Sequence, residues 1–375
     1  MVAPGVPGRG RRAPRRSWPG RATLTGVDAI DWGAAQRIGE LIAGSPPYGG
    51  VHADSVQPLA YDFARRVSEY SGLALPTELP ALEAVDRSGW IAANLRSMRP
   101  LLGLLTDRLG EGTGPLAGPL RSASGLLLGA QVGALTGVLS QRVLGQYDLA
   151  LLDASVPPRL LLLAPNLAQA ARNLGVDRDE LVLWVTIHEI THAVQFGGAP
   201  WLRDHLGGLV KELIEGLDGG ISGRASGAVR RGKLPELSEL RELLERARRG
   251  EVLRLTLGDE RWQLVERMQA TMTLIEGHAE HTMDAVGAEV LPSLPRLRSA
   301  MSRRRRDRGL AWKVLERLLG LELKMRQYEQ GRRFCDAVVD AGGPEALARA
   351  WTGPDALPTT AELNAPASWM ARTGA

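Results

Sequence analysis

The sequence has only one cysteine, Cys335, among 375 residues. An internal disulfide is therefore impossible, and a metal site built from two or more cysteines is excluded. Lysine occurs only four times, and the resulting bias toward arginine indicates no particular chemistry. Hydrophobic residues make up 44% and charged residues 23%, which argues against a wholly disordered, collagen-like or polytopic membrane protein. We expect a soluble protein of a reducing compartment, the cytoplasm.

Acidic residues are absent from the first 27 residues, which contain six arginines together with several prolines and glycines. Because this segment has no apolar run, it lacks the core of a secretory signal, and we predict that residues 1–26 form a disordered tail. A weak anion or nucleic-acid contact is the functional alternative. The rest of the chain carries 40 basic and 42 acidic side chains, so its charge predicts no nucleic-acid partner.

Long uncharged runs are also scarce, and the one that could span a bilayer covers residues 122–141. Glycine recurs in it at four-residue intervals, as in transmembrane helix contacts, at Gly125, Gly129, Gly133 and Gly137. Six serine, threonine or glutamine side chains interrupt the run, and no aromatic belt flanks it. We therefore expect no membrane span but a buried helix whose glycine stripe lets another backbone approach, in a protein recovered without detergent.

Helical periodicity dominates from residue 31 onward, and short strands are expected only at 148–153 and 159–164. A glycine-rich stretch at 216–232 is either a lid or a loop. We predict a mainly α chain in which residues 27–375 form a single unit, with an N-terminal helical part at 27–175 and a metal-site part at 176–375. Helices are predicted from Asp31 and at 58–70, 79–105, 122–141, 177–196, 201–215, 235–249, 259–286, 310–339 and 344–351.

The helix predicted at 177–196 is apolar nearly all round and contains the motif His188-Glu189-Ile190-Thr191-His192. Residues four apart lie one turn above each other, so His188 and His192 can present two ring nitrogens to one metal. Glu189 lies about 100° round the helix, close enough to reach a water bound there. A metal would offset the cost of burying these ionisable side chains. The alternative is a pair of buried histidines that bond to the backbone.

A third protein ligand is expected in the segment Glu276-Gly277-His278-Ala279-Glu280-His281 on a predicted helix. Glu276 and Glu280 share one helical face, whereas His278 and His281 share another. We favour Glu276 as the ligand, because Glu280 could then accept a proton from a ligating histidine and hold its tautomer. His278 or His281 as the ligand remains the alternative.

The segments HEITHAVQF, PWLRDHL, LIEGHAEHTMD and LLGLELKMRQYEQGRRF, with VLGQYDLALL and AWTGPDALPTTAEL, closely resemble the actinobacterial zincin-like metallopeptidase family of type 2. That family is labelled a hydrolase associated with biosynthesis of the deazaflavin coenzyme, and the resemblance covers nearly everything after residue 27. It implies a zincin-like helical metallopeptidase fold with a small β-sheet or hairpin near the metal-site helix. It also implies one Zn²⁺ held by His188, His192 and Glu276, with Glu189 as the catalytic acid/base.

Two further features have weaker interpretations. The resemblance places Tyr328 or Arg326 at the cleft as donors to a developing oxyanion, although helical packing explains the same segment. The basic run Arg303 to Arg306 is typical of a solvated helix or loop, with anion or nucleic-acid binding as the alternative.

The sequence thus predicts a zinc-dependent hydrolase that cleaves a peptide or amide bond with metal-activated water and Glu189 as general base. One alternative is a metal-binding helical scaffold without turnover. Another is a small-molecule amidohydrolase of cofactor metabolism. The sequence predicts no oligomeric state.

Overall fold

The computed structural model describes residues 30–109, 117–215, 258–306 and 321–375. The arginine-rich tail, the glycine-rich stretch at 216–232 and the helix predicted at 235–249 lie outside these ranges. So does the first part of the helix predicted at 310–339.

The described chain is mainly helical with one small sheet, as predicted. The chain bends at Gly343, where the helices predicted at 310–339 and 344–351 meet. The helices are α1 (Trp32–Ala43), α2 (Gln57–Ser71), α3 (Arg87–Leu109), α4 (Ala117–Ser140), α5 (Ala164–Leu174), α6 (Arg178–Gly198), α7 (Trp201–Glu215), α8 (Asp259–Val290), α9 (Leu294–Arg306), α10 (Leu321–Ala348) and α11 (Pro366–Thr373). The strands are β1 (Leu82–Val85), β2 (Gly145–Asp148) and β3 (Arg159–Leu163).

The sheet has the order β1-β3-β2, in which β1 runs parallel and β2 antiparallel to β3. The prediction was correct for β3 but wrong in two places. A strand was expected at 148–153, but β2 lies just before that range and ends at Asp148, because the residues beyond it turn away from the sheet. The helix expected at 79–105 begins only at Arg87, because residues 82–85 pair with the fully buried leucines 160–163 of β3, and a non-local pairing overrides local helical periodicity.

The α4 helix packs against α1 through its glycines, which confirms the predicted close approach. A Cβ atom at Gly133 would lie 2.3 Å from the carbonyl oxygen of Ala35, and one at Gly129 would lie 2.4 Å from that of Asp31. The opposite face differs from the expectation of a fully buried helix, because Leu126 and Leu127 are exposed. None of the described helices is long and apolar enough to cross a membrane.

The α6 helix lies in the main hydrophobic core and contacts α2, α5, α7, α8 and the strands β2 and β3. Its N-cap is Asp177, whose side chain accepts a hydrogen bond from the backbone N–H of Glu180 at 2.9 Å. The Glu180 carboxylate accepts from Ser293, just after α8, and thereby holds the start of α6 beside the end of α8. The two helices therefore run antiparallel.

The position of α8 depends on a close crossing with α10. A Cβ atom at Gly277 would lie 2.1 Å from the carbonyl carbon of Gly331, and one at Gly331 would lie 2.0 Å from the carbonyl oxygen of Thr273. These distances leave no room for a side chain at either glycine. Because Gly277 follows Glu276 directly, the crossing also determines where the Glu276 side chain lies.

Gly277→Ala is expected to lower the free energy of unfolding by about 3 kcal/mol, because the methyl group would meet backbone atoms that cannot rotate away. Gly287→Ala on the same helix is the matched control, since its Cβ would meet only ordinary side-chain contacts at 3.4 Å and beyond. The control is expected to change stability by about 1 kcal/mol at most, in the stabilising direction, through helix propensity. Denaturant unfolding measures both, and equal stabilities of the two variants would contradict the prediction.

Candidate metal centre

Three side chains from two helices converge at one point of the α6–α8 contact. His188 and His192 come from α6, and Glu276 comes from α8. The Nε2 atoms of the two histidines are 3.2 Å apart, and Glu276 Oε2 lies 3.8 Å from His188 Nε2 and 3.6 Å from His192 Nε2. All three ligand atoms lie within 4.8 Å of one another, so one ion could contact all of them.

The donor set fits a catalytic zinc site. Two imidazole nitrogens and one carboxylate oxygen are the protein ligands of one common class of such sites, which keep a fourth position open for water. Burial lowers the pKa of His192, but the Glu276 carboxylate and Glu189 raise it more, to about 9. The pocket therefore favours positive charge at this point, which a divalent cation supplies.

Glu189 faces the sheet instead of joining the three-residue cluster. Its Oε2 accepts a hydrogen bond from the backbone N–H of Tyr147 in β2 at 2.8 Å. The strand can approach this closely because residue 145 is glycine, where a Cβ atom would lie 2.7 Å from Glu189 Oε1. Burial raises the pKa of Glu189 to about 7; His192 lowers it and Glu276 raises it further. A carboxylate with a pKa near neutrality suits a general base.

Gln195 is a polar residue of the centre that the sequence analysis did not single out. It is fully buried, and its Oε1 lies 2.8 Å from Nδ1 of His192. Its amide nitrogen donates to the carbonyl oxygen of Ile275 at 2.9 Å and to Nδ1 of His278 at 2.8 Å. The sequence could have indicated Gln195, because it follows His192 by three residues and therefore lies on the same helical face. With Oε1 as acceptor, Gln195 would hold the proton of His192 on Nδ1 and leave Nε2 as the nitrogen that could ligate a metal.

The two alternative ligands point elsewhere. His278 is buried beside Gln195 and Trp351, and burial lowers its pKa to about 3, with the charges of His281 and His192 lowering it further. His281 lies between Asp336, 2.6 Å from its Nδ1, and the Tyr70 hydroxyl, 2.7 Å from its Nε2. Neither histidine belongs to the described cluster of possible ligands.

The remaining predicted site residues lie in different places. Glu280 is buried one turn beyond Glu276 and lines a cavity with Trp184. Tyr328 and Arg326 belong to α10, but their side chains lie outside the described part of the structure, so their oxyanion role stays a prediction. The basic run is divided in the same way: Arg303 is an exposed residue of α9, whereas the side chains of residues 305 and 306 are not described.

Gln195→Leu is expected to weaken metal binding about 10- to 100-fold, because Nδ1 of His192 would lose its acceptor in a buried site. Gln263→Leu is the matched control, since Gln263 lies exposed on α8, the helix that carries Glu276. Competition with a chromogenic chelator measures the affinity of each variant for zinc. Equal affinities of the two variants would show that Gln195 does not orient the histidine.

Known proteins resemble this chain in sequence and in fold. A crystal structure described as "a putative hydrolase with a novel fold from Chloroflexus aurantiacus" is similar to this chain, with a TM-score of 0.64 and 28% sequence identity. The similarity covers 92% of this chain and 99% of that one. No curated protein matches the sequence. The description "Zincin-like metallopeptidase" belongs to a family model that matches residues 30–370. The chain therefore belongs to the zincin-like metallopeptidase family.

Proposed function

We propose that this protein is a zinc-dependent hydrolase that cleaves a peptide or amide bond. The observation that carries the proposal is the cluster of His188, His192 and Glu276, whose ligand atoms lie within 4.8 Å of one another beside a buried Glu189. Membership of the zincin-like metallopeptidase family supports the same activity. A zinc ion at this point would polarise the substrate carbonyl and lower the pKa of water.

The chain's own residues have separate tasks in this proposal. His188, His192 and Glu276 are the ligands, and Gln195 keeps His192 in the ligating tautomer through the bond at Nδ1. The Tyr147 N–H holds Glu189 Oε2, so we assign Oε1 as the atom that takes the proton from the attacking water. Glu189 then passes that proton to the nitrogen of the leaving amine, so the carboxylate is regenerated and no other proton donor is needed.

Metal-dependent hydrolysis of a peptide library tests the proposal. Purified protein is stripped with a chelator, reloaded with zinc or magnesium, and incubated with peptides whose products are read by mass spectrometry. We expect cleavage only after zinc is restored, because a histidine-containing donor set selects zinc over magnesium. A protein that binds zinc but cleaves nothing would fit the helical scaffold instead.

The same experiment separates a second type of hydrolase. Cleavage of small amides without cleavage of peptides would favour an amidohydrolase of cofactor metabolism, the alternative that the resemblance to a deazaflavin-associated family suggests. Accumulation of an amide-containing metabolite in a deletion strain would then identify its substrate. We favour peptides because the family to which the chain belongs is one of metallopeptidases.

A further inference from the structure

A cavity of about 450 Å³ lies beside the candidate metal centre, between α6, α8, α9 and α10. Trp184 lines it one turn before His188 on α6, and Glu280 lines it one turn after Glu276 on α8. Because α6 and α8 run antiparallel, Trp184 and Glu280 are displaced from the candidate ligands in the same direction along the contact between the two helices. The cavity therefore begins about one helical turn from the three candidate ligands.

The far end of this cavity is rich in arginine. Arg298 from α9 and Arg332 from α10 each place a terminal nitrogen 2.9 Å from the same oxygen of Asp284, and Arg303 lines the cavity beside them. The Asp284 side chain is only 10% exposed, whereas that of Arg298 is 41% exposed. The acid thus forms the floor of the cavity, and guanidinium groups lie closer to solvent.

Arginine outnumbers acid among the described residues that line this cavity. Three guanidinium groups, of Arg298, Arg303 and Arg332, line it with two carboxylates, of Asp284 and of Glu280 one turn nearer to the candidate metal centre. Arg332 also lies near a second acid, with its Nε 3.4 Å from Asp336. Arg298 contacts Asp284 as an ion pair, and its guanidinium carries five N–H donors, enough to bind a second carboxylate as well. Burial raises the pKa of Asp284 to about 6, which further reduces the negative charge at slightly acidic pH.

We propose that this cavity is a substrate subsite for a carboxylate, bound by Arg298 with Arg303 and positioned by the Arg332–Asp284 ion pair. Arginine binds a carboxylate through two parallel N–H bonds, and a partly buried site strengthens them. The subsite rests on the proposed hydrolytic function, because its use as a specificity site requires that the metal centre cleaves the bound molecule.

The spacing defines which carboxylates could reach it. Asp284 lies two helical turns beyond Glu276, and each turn advances about 5.4 Å. An extended peptide advances at most about 3.3–3.6 Å per residue. The bound carboxylate therefore belongs one to three residues from the cleaved bond, either on an Asp or Glu side chain or at the C-terminus of the peptide.

Matched peptides distinguish these two sources. Each peptide carries Glu or Gln at one to three residues on either side of the cleaved bond, and each is made with a free and an amidated C-terminus. Zinc-loaded wild-type protein, Arg298→Gln and Arg333→Gln are compared for kcat and KM. Arg333 is the control because it lies on α10 with an 80% exposed side chain and does not line the cavity.

We expect KM for the preferred acidic peptide to rise about 10- to 100-fold in Arg298→Gln, because a charge-assisted bond is lost, while kcat changes little. The amide analogue should be affected less than about twofold, and Arg333→Gln should match wild type. A side-chain source predicts the preference for Glu over Gln; a terminal source predicts the preference for the free over the amidated terminus. If circular dichroism shows that Arg298→Gln does not fold, the exposed Arg303→Gln replaces it.

Binding of the same peptides to zinc-loaded Glu189→Gln, measured by calorimetry, separates the subsite from the chemistry. Tighter binding of acidic peptides with no hydrolysis by any protein would support the subsite and overturn the proposed function. Hydrolysis without preference for either carboxylate would support the proposed function and overturn the subsite. A preference that persists unchanged in both Arg298→Gln and Arg303→Gln would also overturn the subsite.

Discussion

Glu189→Gln is expected to lower the rate of hydrolysis by about 100- to 10,000-fold while the protein keeps its metal. Glutamine has nearly the same shape, and its side-chain oxygen can still accept the bond from the Tyr147 N–H. It cannot take a proton from water. The loss should therefore fall on kcat, with KM nearly unchanged, because the substitution removes an interaction of the transition state alone.

Asp179→Asn is the matched control, since Asp179 lies in the first turn of α6 with a 78% exposed side chain. It removes one carboxylate from the same helix without touching the site. Zinc content is measured for all three proteins before the rates are compared. A Glu189→Gln protein with full metal content and full activity would exclude Glu189 as the general base.

The largest effect on metal binding is expected from His188→Ala combined with His192→Ala. Wild-type protein should bind about one zinc per chain, because one cluster of three ligands is present in the described part of the structure. The double variant keeps only Glu276, which cannot hold zinc alone. Zinc at about 100 times its dissociation constant should stabilise wild type by about 2.7 kcal/mol and the double variant not at all.

The matched control is His52→Ala combined with His205→Ala, which removes two histidines outside the centre. His52 is exposed, and His205 lies on α7 next to Trp201. Elemental analysis gives the metal content, and thermal unfolding with and without zinc gives the stabilisation. Stoichiometric zinc in the double variant at positions 188 and 192 would refute the assigned site.

The choice among the third ligands can be tested in the same way. Glu276→Ala should weaken zinc binding severely, whereas His281→Ala should change it little, since His281 bonds to Asp336 and Tyr70 instead of the centre. X-ray absorption of the zinc-loaded wild type should fit two imidazoles and a carboxylate. Three imidazoles would contradict the assignment of Glu276.

Several features of the fold were predictable because they depend on neighbours along the chain. The apolar pattern of α6 and the four-residue spacing of His188 and His192 are local, and the structure shows the expected helix, which Asp177 caps. The glycine stripe of α4 predicted a close contact without naming its partner, which is α1. The residue pattern of a single helix shows which face makes a contact, but it does not identify the element that packs there.

Non-local pairing decided what the sequence left open or predicted wrongly. The β1 strand exists because residues 82–85 pair with β3 nearly eighty residues away, and no local periodicity reveals that partner. The β2 strand likewise ends at Asp148, whereas the apolar residues after it predicted a strand at 148–153.

The sequence by itself determined that two histidines and a glutamate share one turn of a buried helix. Only the tertiary structure decided which face of α8 meets them, because Glu276 and His278 lie on the same helix about 200° apart and both faces carry possible ligands. The crossing of Gly277 with Gly331 and the bonds of Gln195 to Ile275 and His278 fix that rotation. The arginine-lined cavity is likewise tertiary, since it is built from four helices whose side chains are distant in sequence. Helical periodicity is encoded within a few residues, whereas the rotation of one helix against another depends on packing across the whole core.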